Sequence, residues 1–335
     1  MTVPISTPSL PVISLSEHKT LESLAIALYS ACTGEGFLYV SDHGIPQATI
    51  DEAFGVAQDY FLHARPEDKV DLKENTGYTA VRQESLDSTR PSSGDLKECF
   101  HFADTHWLRN HGQKQDLPDS LEPSRKKIET FIEQINGVAE RLLQGLAVAL
   151  ELPPDFLSCQ HKGQHNRLRL LHYPPAEINH KDLDPGNPDI RAGAHTDYGS
   201  ITVLFQHHIS GLQVSRAGAW IDVLPREGCL VINVGDALEF WSGGLFKSTL
   251  HRVVMPRHQA ETASRYSIAY FVQPDSTSVL EPLVTEAIGG IAHLQQQRGG
   301  VGRNHCSKGI TCWDEEDQWG DYVQARLQAT YPKKG

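Results

Sequence analysis

Two histidines and an aspartate carry the first chemical signal in this chain. His195 and Asp197 stand two apart in "RAGAHTDYGSITVLF" (residues 191–205), a stretch that reads as strand. His251 lies in a second strand-like run, "KSTLHRVV", after 53 intervening residues. Side chains alternate along a regular strand, so His195 and Asp197 are expected on one side of it. Two imidazoles and one carboxylate give three donors to one face of a metal ion and leave the opposite face open, a set suited to non-haem Fe(II). A lone strand histidine is more often a hydrogen-bonded core or surface group, so the weight rests on all three together. A fourth feature adds to it. In "RYS", on the next predicted strand, Arg265 and Ser267 face the same way, and a guanidinium fork beside a hydroxyl suits a buried carboxylate. A surface ion pair is disfavoured there by the flanking "SIAYF".

The same alternation extends the reading to substrate contacts. On a regular strand Arg191 and Gly193 share the face of His195 and Asp197, which aims Arg191 into a barrel near the metal. It is expected there either as a donor to a substrate carbonyl, phenolate or carboxylate, or as one half of a structural salt bridge. Phe271, inward on the Arg265 strand by the same count, supplies an apolar wall.

The elements that must position these residues fall into two halves. After the extended "PVISL" (residues 11–15), Leu21, Leu24, Ala25, Leu28 and Cys32 recur at helical spacing, and Gly34 sits where a helix would stop. "GFLYVSDHGIP" (36–46) reads as a strand and turn, and Ile50, Phe54, Ala57 and Phe61 mark a second helix. From Glu122 to Leu150, Ile128, Phe131, Ile132, Ile135, Val138, Ala139, Leu142 and Leu146 trace one apolar face, which predicts core. Beyond Asn166 short β-branched and aromatic runs alternate with Gly, Pro and Asp, the pattern of antiparallel strands. Helices followed by clustered strands predict a mainly β fold with helices, a jelly roll buttressed from both ends, with a closing helix near Asp317 to Thr330. Expected divisions of the one fold are 1–160 (helical and strand region), 161–275 (jelly-roll core) and 276–335 (closing segment).

Composition bounds the class. With 335 residues, 39% hydrophobic and 21% charged, the chain can bury a sizeable core. A net charge of -12 offers no field for phosphate backbones or anionic lipid, so neither nucleic acid nor a membrane is an expected partner. Residues 1–20 lack a secretory pattern, and the six scattered cysteines do not form a disulfide framework, so a cytoplasmic, reduced protein is expected. "HCSKGITC" (His305 to Cys312) has two thiols and a histidine but no fourth nearby ligand, which favours an ordinary loop over zinc. No G-x-S-x-G, P-loop or dinucleotide fingerprint is present.

Nearly end to end, the chain resembles the Fe(II)/2-oxoglutarate-dependent oxygenases of the isopenicillin N synthase type. The resemblance runs through "PVISL", "GFLYVSDHGIP", "DLKECFHF" (95–102) and "LRLLHYPP" (168–175). It culminates in "AHTDYGSITVLFQ", "VINVGDALEFWSGGLFKSTLHRVV" and "RYSIAYF". Within the family, fungal thymine hydroxylases and oxygenases of secondary metabolism look most similar. The resemblance implies a double-stranded β-helix, iron ligands His195, Asp197 and His251, and a distal carboxylate of 2-oxoglutarate gripped by Arg265 and Ser267. It implies a further cosubstrate hydrogen bond from Tyr173, while Leu171 and His172 replace the family's Asn-Tyr. Implied too are O2 as cosubstrate, succinate and CO2 as coproducts, and hydroxylation of a small molecule. The same oxidant can instead drive ring expansion, cyclisation or desaturation, and a non-catalytic metal-binding sensor is the alternative from another class.

Overall fold

The computed structural model describes residues 10–70, 75–87, 94–176 and 190–287. The helix expected near Asp317 to Thr330 and the His305–Cys312 stretch lie outside them. Strands β1 (Val12–Ser14), β2 (Phe37–Ser41), β3 (Gly77–Thr79) and β4 (Glu98–Ala103) come from the first half of the chain. Strands β5 (Arg167–Tyr173), β6 (Ile190–His195), β7 (Ile201–Gln206), β8 (Leu212–Arg216), β9 (Ala219–Asp222), β10 (Cys229–Val234), β11 (His251–Val254) and β12 (Arg265–Val272) follow. They form two sheets. The larger has the order β1-β2-β10-β7-β12-β5-β4-β3, and the smaller β6-β11-β8-β9. All ladders are antiparallel except β1 with β2. The first-half strands thus extend the sheet that carries β5, β7, β10 and β12.

Helix α1 (Leu21–Gly34) starts at Thr20, whose side chain accepts a hydrogen bond from the Ser23 amide, satisfying one orphan donor of the first turn. It ends where Gly36 adopts a φ of 64°, a position at which a Cβ would meet the Lys247 carbonyl. Helices α2 (Gln47–His63) and α3 (Arg125–Ala149) pack with it against the outer face of the large sheet. The stripe from Ile128 to Leu150 is buried throughout, as the helical spacing predicts, each large aliphatic contributing about 1.5–3 kcal/mol.

Period two divides β12 cleanly. Tyr266, Ile268, Tyr270 and Val272 join the helix-side core, whereas Ala269 and Phe271 belong to a second cluster between the sheets. Arg265 and Ser267 share that inner face, which fixes the direction in which a carboxylate clamp would point.

Candidate metal centre

β6 and β11 pair so that His251 stands opposite His195. Asp197 enters from the turn between β6 and β7, because the strand ends at His195. The expectation that His195 and Asp197 share one strand is therefore corrected: the turn, not alternation, brings the carboxylate round. Asp197 Oδ1 lies 3.8 Å from His195 Nε2 and 3.7 Å from His251 Nε2, and one ligand atom from each of the three lies within 4.8 Å of the others. Among the described residues no other trio of His, Cys, Asp or Glu converges in this way.

The surrounding hydrogen bonds orient each donor. His195 Nδ1 meets the Gly193 carbonyl at 2.7 Å and His251 Nδ1 the Thr249 carbonyl at 3.0 Å. With Nδ1–H donating, each Nε2 keeps its lone pair for the shared centre. Asp197 Oδ2 accepts from Thr202 Oγ1 at 2.5 Å and from Asn233 Nδ2 at 2.7 Å, leaving Oδ1 toward the imidazoles. Burial together with the neighbouring His251 ring pushes the His195 imidazole below its usual range, so it is neutral. Burial would raise the Asp197 carboxyl, but the two imidazoles and its two side-chain donors outweigh it and hold the group ionised. Two imidazole nitrogens and one carboxylate can hold a divalent cation and keep one face open.

The turn depends on Gly235. Its amide donates to the Ser200 carbonyl at 2.9 Å, the next amide, of Asp236, donates to Asp197 O at 2.8 Å, and a Cβ at 235 would lie 2.2 Å from Gly199 O.

Across the cavity, β12 and β5 place Arg265 opposite Tyr173 and Ser267 opposite Leu171. Arg265 is 1% exposed, its guanidinium lies 4.7 Å from the Tyr173 ring centroid and is hydrogen-bonded to the Tyr173 side chain, and its contacts to Ser267 Oγ (3.5 Å) and Gln206 Oε1 (3.3 Å) are long. Its Nε has no acceptor among the described residues. A buried guanidinium with donors to spare fits a carboxylate-bearing cosubstrate. Arg265, Ser267, Tyr173 and the three candidate metal ligands line one cavity.

Phe271 lines this cavity, as alternation along β12 predicts. Arg191 does not, although it is 1% exposed; Ala192 takes its place. Val253 pairs with Ala192 and His251 with His195, so two steps on β11 match three on β6. That bulge breaks the assumed alternation. Arg191 instead donates to the Pro174 carbonyl at 3.2 Å, and burial, aided by the Arg265 charge, lowers its pKa to about 10. His172 also points away, bonding Glu98 at 2.8 Å and stacking on Tyr266, while Leu171 lines the cavity.

Sequence reasoning missed several residues. Thr202 and Asn233 signal themselves only as polar positions within the apolar runs of β7 and β10. Lys97 and Arg169 also line the cavity, held by Glu84 and Asp95. The sequence hint was a lysine in "DLKECF", beside the aromatic-rich strand "ECFHFA".

A two-sheet jelly roll that gathers two histidines and an aspartate beside a buried arginine defines a non-haem iron oxygenase of the 2-oxoglutarate type. The family model of the 2OG-Fe(II) oxygenase superfamily matches residues 163–274, and that of the non-haem dioxygenase in morphine synthesis N-terminal region matches 10–124. The chain belongs to the 2OG-Fe(II) oxygenase superfamily, and it is a 2-oxoglutarate-dependent dioxygenase. It is 34% identical over 289 residues to the UPF0676 protein C1494.01 of Schizosaccharomyces pombe, covering 83% of this chain and 86% of that one. It is 32% identical over 278 residues to the 2-oxoglutarate-dependent dioxygenase frbA of a Dothideomycetidae species, covering 76% and 81%. Among solved structures, T7H of Neurospora crassa in complex with alpha-KG and thymine superposes with a TM-score of 0.78 at 28% identity, covering 98% of this chain and 99% of that one. Fe(II) and 2-oxoglutarate are accordingly the cofactor and cosubstrate of this family member. No described helix is long and apolar enough to cross a membrane.

Proposed function

We propose that this enzyme hydroxylates a C–H bond of a small organic molecule, with succinate and CO2 as coproducts. The observation that carries the reading is the single cavity in which His195, Asp197 and His251 face Arg265, Ser267 and Tyr173. In this reading the first three hold the iron. Gly193 and Thr249 fix the two imidazole rings, and Thr202 and Asn233 fix the carboxylate, so the donors are set before metal arrives. Arg265 and Ser267 grip the distal carboxylate of 2-oxoglutarate, and Tyr173, packed against the guanidinium, closes that end.

When bound, iron and 2-oxoglutarate supply the oxidising power: one oxygen atom of O2 enters succinate as CO2 leaves, and the other enters the substrate. The chain itself positions and shields. Phe37, Leu204, Leu212, Val253 and Phe271 keep the cavity largely apolar, which excludes competing water chemistry and orients a C–H bond toward the metal. T7H was solved with alpha-KG and thymine, which supports a small, uncharged organic substrate here too.

The test is oxygen uptake with Fe(II), with and without 2-oxoglutarate, followed by mass spectrometry on a panel of small aromatic, pyrimidine and polyketide-like compounds. Uptake that depends on 2-oxoglutarate, matched by succinate and by a product heavier by one oxygen atom, is expected. Uptake without 2-oxoglutarate, or a product lighter by two hydrogen atoms, would refute hydroxylation.

A further inference from the structure

Two cations, Lys97 and Arg169, line the cavity, and both are answered from behind. Lys97 Nζ lies 2.7 Å from Glu84 Oε2 and forms a second short ion pair with Asp95. Arg169 Nη1 lies 3.3 Å from Glu84 Oε1, and its guanidinium sits 5.1 Å from the Phe271 ring centroid. Glu84 and Lys97 are each 2% exposed and Asp95 6%, so solvent does not screen the group. Lys97 and Arg169 reach the cavity wall, whereas the two carboxylates stand outside it.

The backbone locks this arrangement. Asp95 N donates to the Glu84 carbonyl at 2.7 Å, Arg82 N to the Asp95 carbonyl at 2.9 Å, and Gly193 N to Asp95 Oδ1 at 3.0 Å. The strap that carries Glu84 is thereby fastened both to the segment leading into β4 and to β6, next to the metal-facing His195. Burial opposes the charge on Lys97, but Glu84 and Asp95 outweigh it and keep the ammonium protonated.

We propose that this charge-balanced quartet makes the site selective for uncharged substrates bearing a hydrogen-bond acceptor, because Glu84 and Asp95 cancel the two cations that face the cavity. The inference rests on the function proposed above and names its substrate class. At the metal end the charges of Fe(II), Arg265 and the nearby buried Arg191 are matched by Asp197, dianionic 2-oxoglutarate and Glu261, whose charge acts on Arg191, so among the described residues neither end holds a surplus to neutralise a charged substrate. A carboxylate or ammonium entering this apolar space would lose its hydration without gaining a counter-ion. A neutral carbonyl loses far less. Two of the three Lys97 donors go to Glu84 and Asp95, leaving a third for a ligand oxygen.

The test is a ligand-observed NMR screen of matched neutral amides and ketones against the corresponding carboxylates and amines, on full-length protein loaded with Mn(II) and 2-oxoglutarate. Only signals broadened by the paramagnetic metal count, which confines hits to this cavity. Neutral members are expected to bind, with carboxylates at least about tenfold weaker. Glu84→Gln, which leaves one cation unanswered, is expected to bring carboxylates up to or past their neutral partners. Asp95→Asn serves as the second variant and should shift the order in the same direction. A wild-type hit set dominated by charged compounds, the absence of neutral hits, or an unchanged order in both variants overturns the proposal. Calorimetry of 2-oxoglutarate binding to the wild-type protein reports on the underlying reading alone, so failure of the two is told apart.

Discussion

Replacing Arg265 by leucine separates the cosubstrate half of the site from the metal half. The guanidinium is 1% exposed, and its contacts to Ser267 and Gln206 are long, at 3.5 and 3.3 Å. Two charge-assisted bonds to a carboxylate are worth about 1.5–3 kcal/mol each, so their joint loss is about 3–6 kcal/mol before relaxation. Water entering the vacated space offsets part of that. At about 1.4 kcal/mol per decade, 2-oxoglutarate affinity should still fall by at least about tenfold. The free protein should not suffer equally. Burial lowers the guanidinium pKa, which marks a cation held at a cost, and Nε lacks an acceptor among the described residues. The variant without ligand should therefore unfold at or above the wild-type temperature, while the rise in Tm on adding 2-oxoglutarate shrinks. Calorimetric titration of the Mn(II)-loaded protein measures the affinity, and a thermal scan measures the rest. A 2-oxoglutarate affinity within about twofold of wild type would place the clamp elsewhere and refute the reasoning.

Three further substitutions probe the support of the site. Asn233→Leu removes the 2.7 Å donor to Asp197 and should weaken iron binding by about 10–100-fold in a chelator competition; unchanged affinity would show that Thr202 alone suffices. Gly235→Ala drives a Cβ to 2.2 Å from Gly199 O and should cost about 1–3 kcal/mol of stability along with iron affinity, whereas a wild-type Tm would mean the turn relaxes freely. Arg191→Ala removes a fully buried side chain and its bond to the Pro174 carbonyl, so Tm should fall by an amount worth about 1–3 kcal/mol with iron content retained. A stable variant with altered products would restore Arg191 to substrate contact.

How much of this was legible in the sequence follows from the range of the forces involved. Local periodicity found the α1 and α3 faces and the inner side of β12, because helix and strand repeats are set by neighbours a few residues apart. The spacing of His195, Asp197 and His251, with Arg265 and Ser267, carried the site because its chemistry demands those side-chain types. Arg191 misled, since one additional residue in β6 between Ala192 and His195 changes every facing direction upstream and leaves no trace in composition. The Glu84, Asp95, Lys97 and Arg169 quartet was invisible for a different reason. Its members come from a strap, from the segment leading into β4 and from β5, and only tertiary pairing across β4 and β5 makes them neighbours.

The central claim is that His195, Asp197 and His251 together hold the iron that the fold uses. Iron stoichiometry after anaerobic loading and gel filtration tests it most directly, measured on wild type and on Asp197→Ala with circular dichroism to confirm folding. Asp197 is the only anionic member of the trio and is already oriented by Thr202 and Asn233. About one iron per wild-type chain and almost none on a folded Asp197→Ala protein is the predicted result. Wild-type iron content on Asp197→Ala would contradict it.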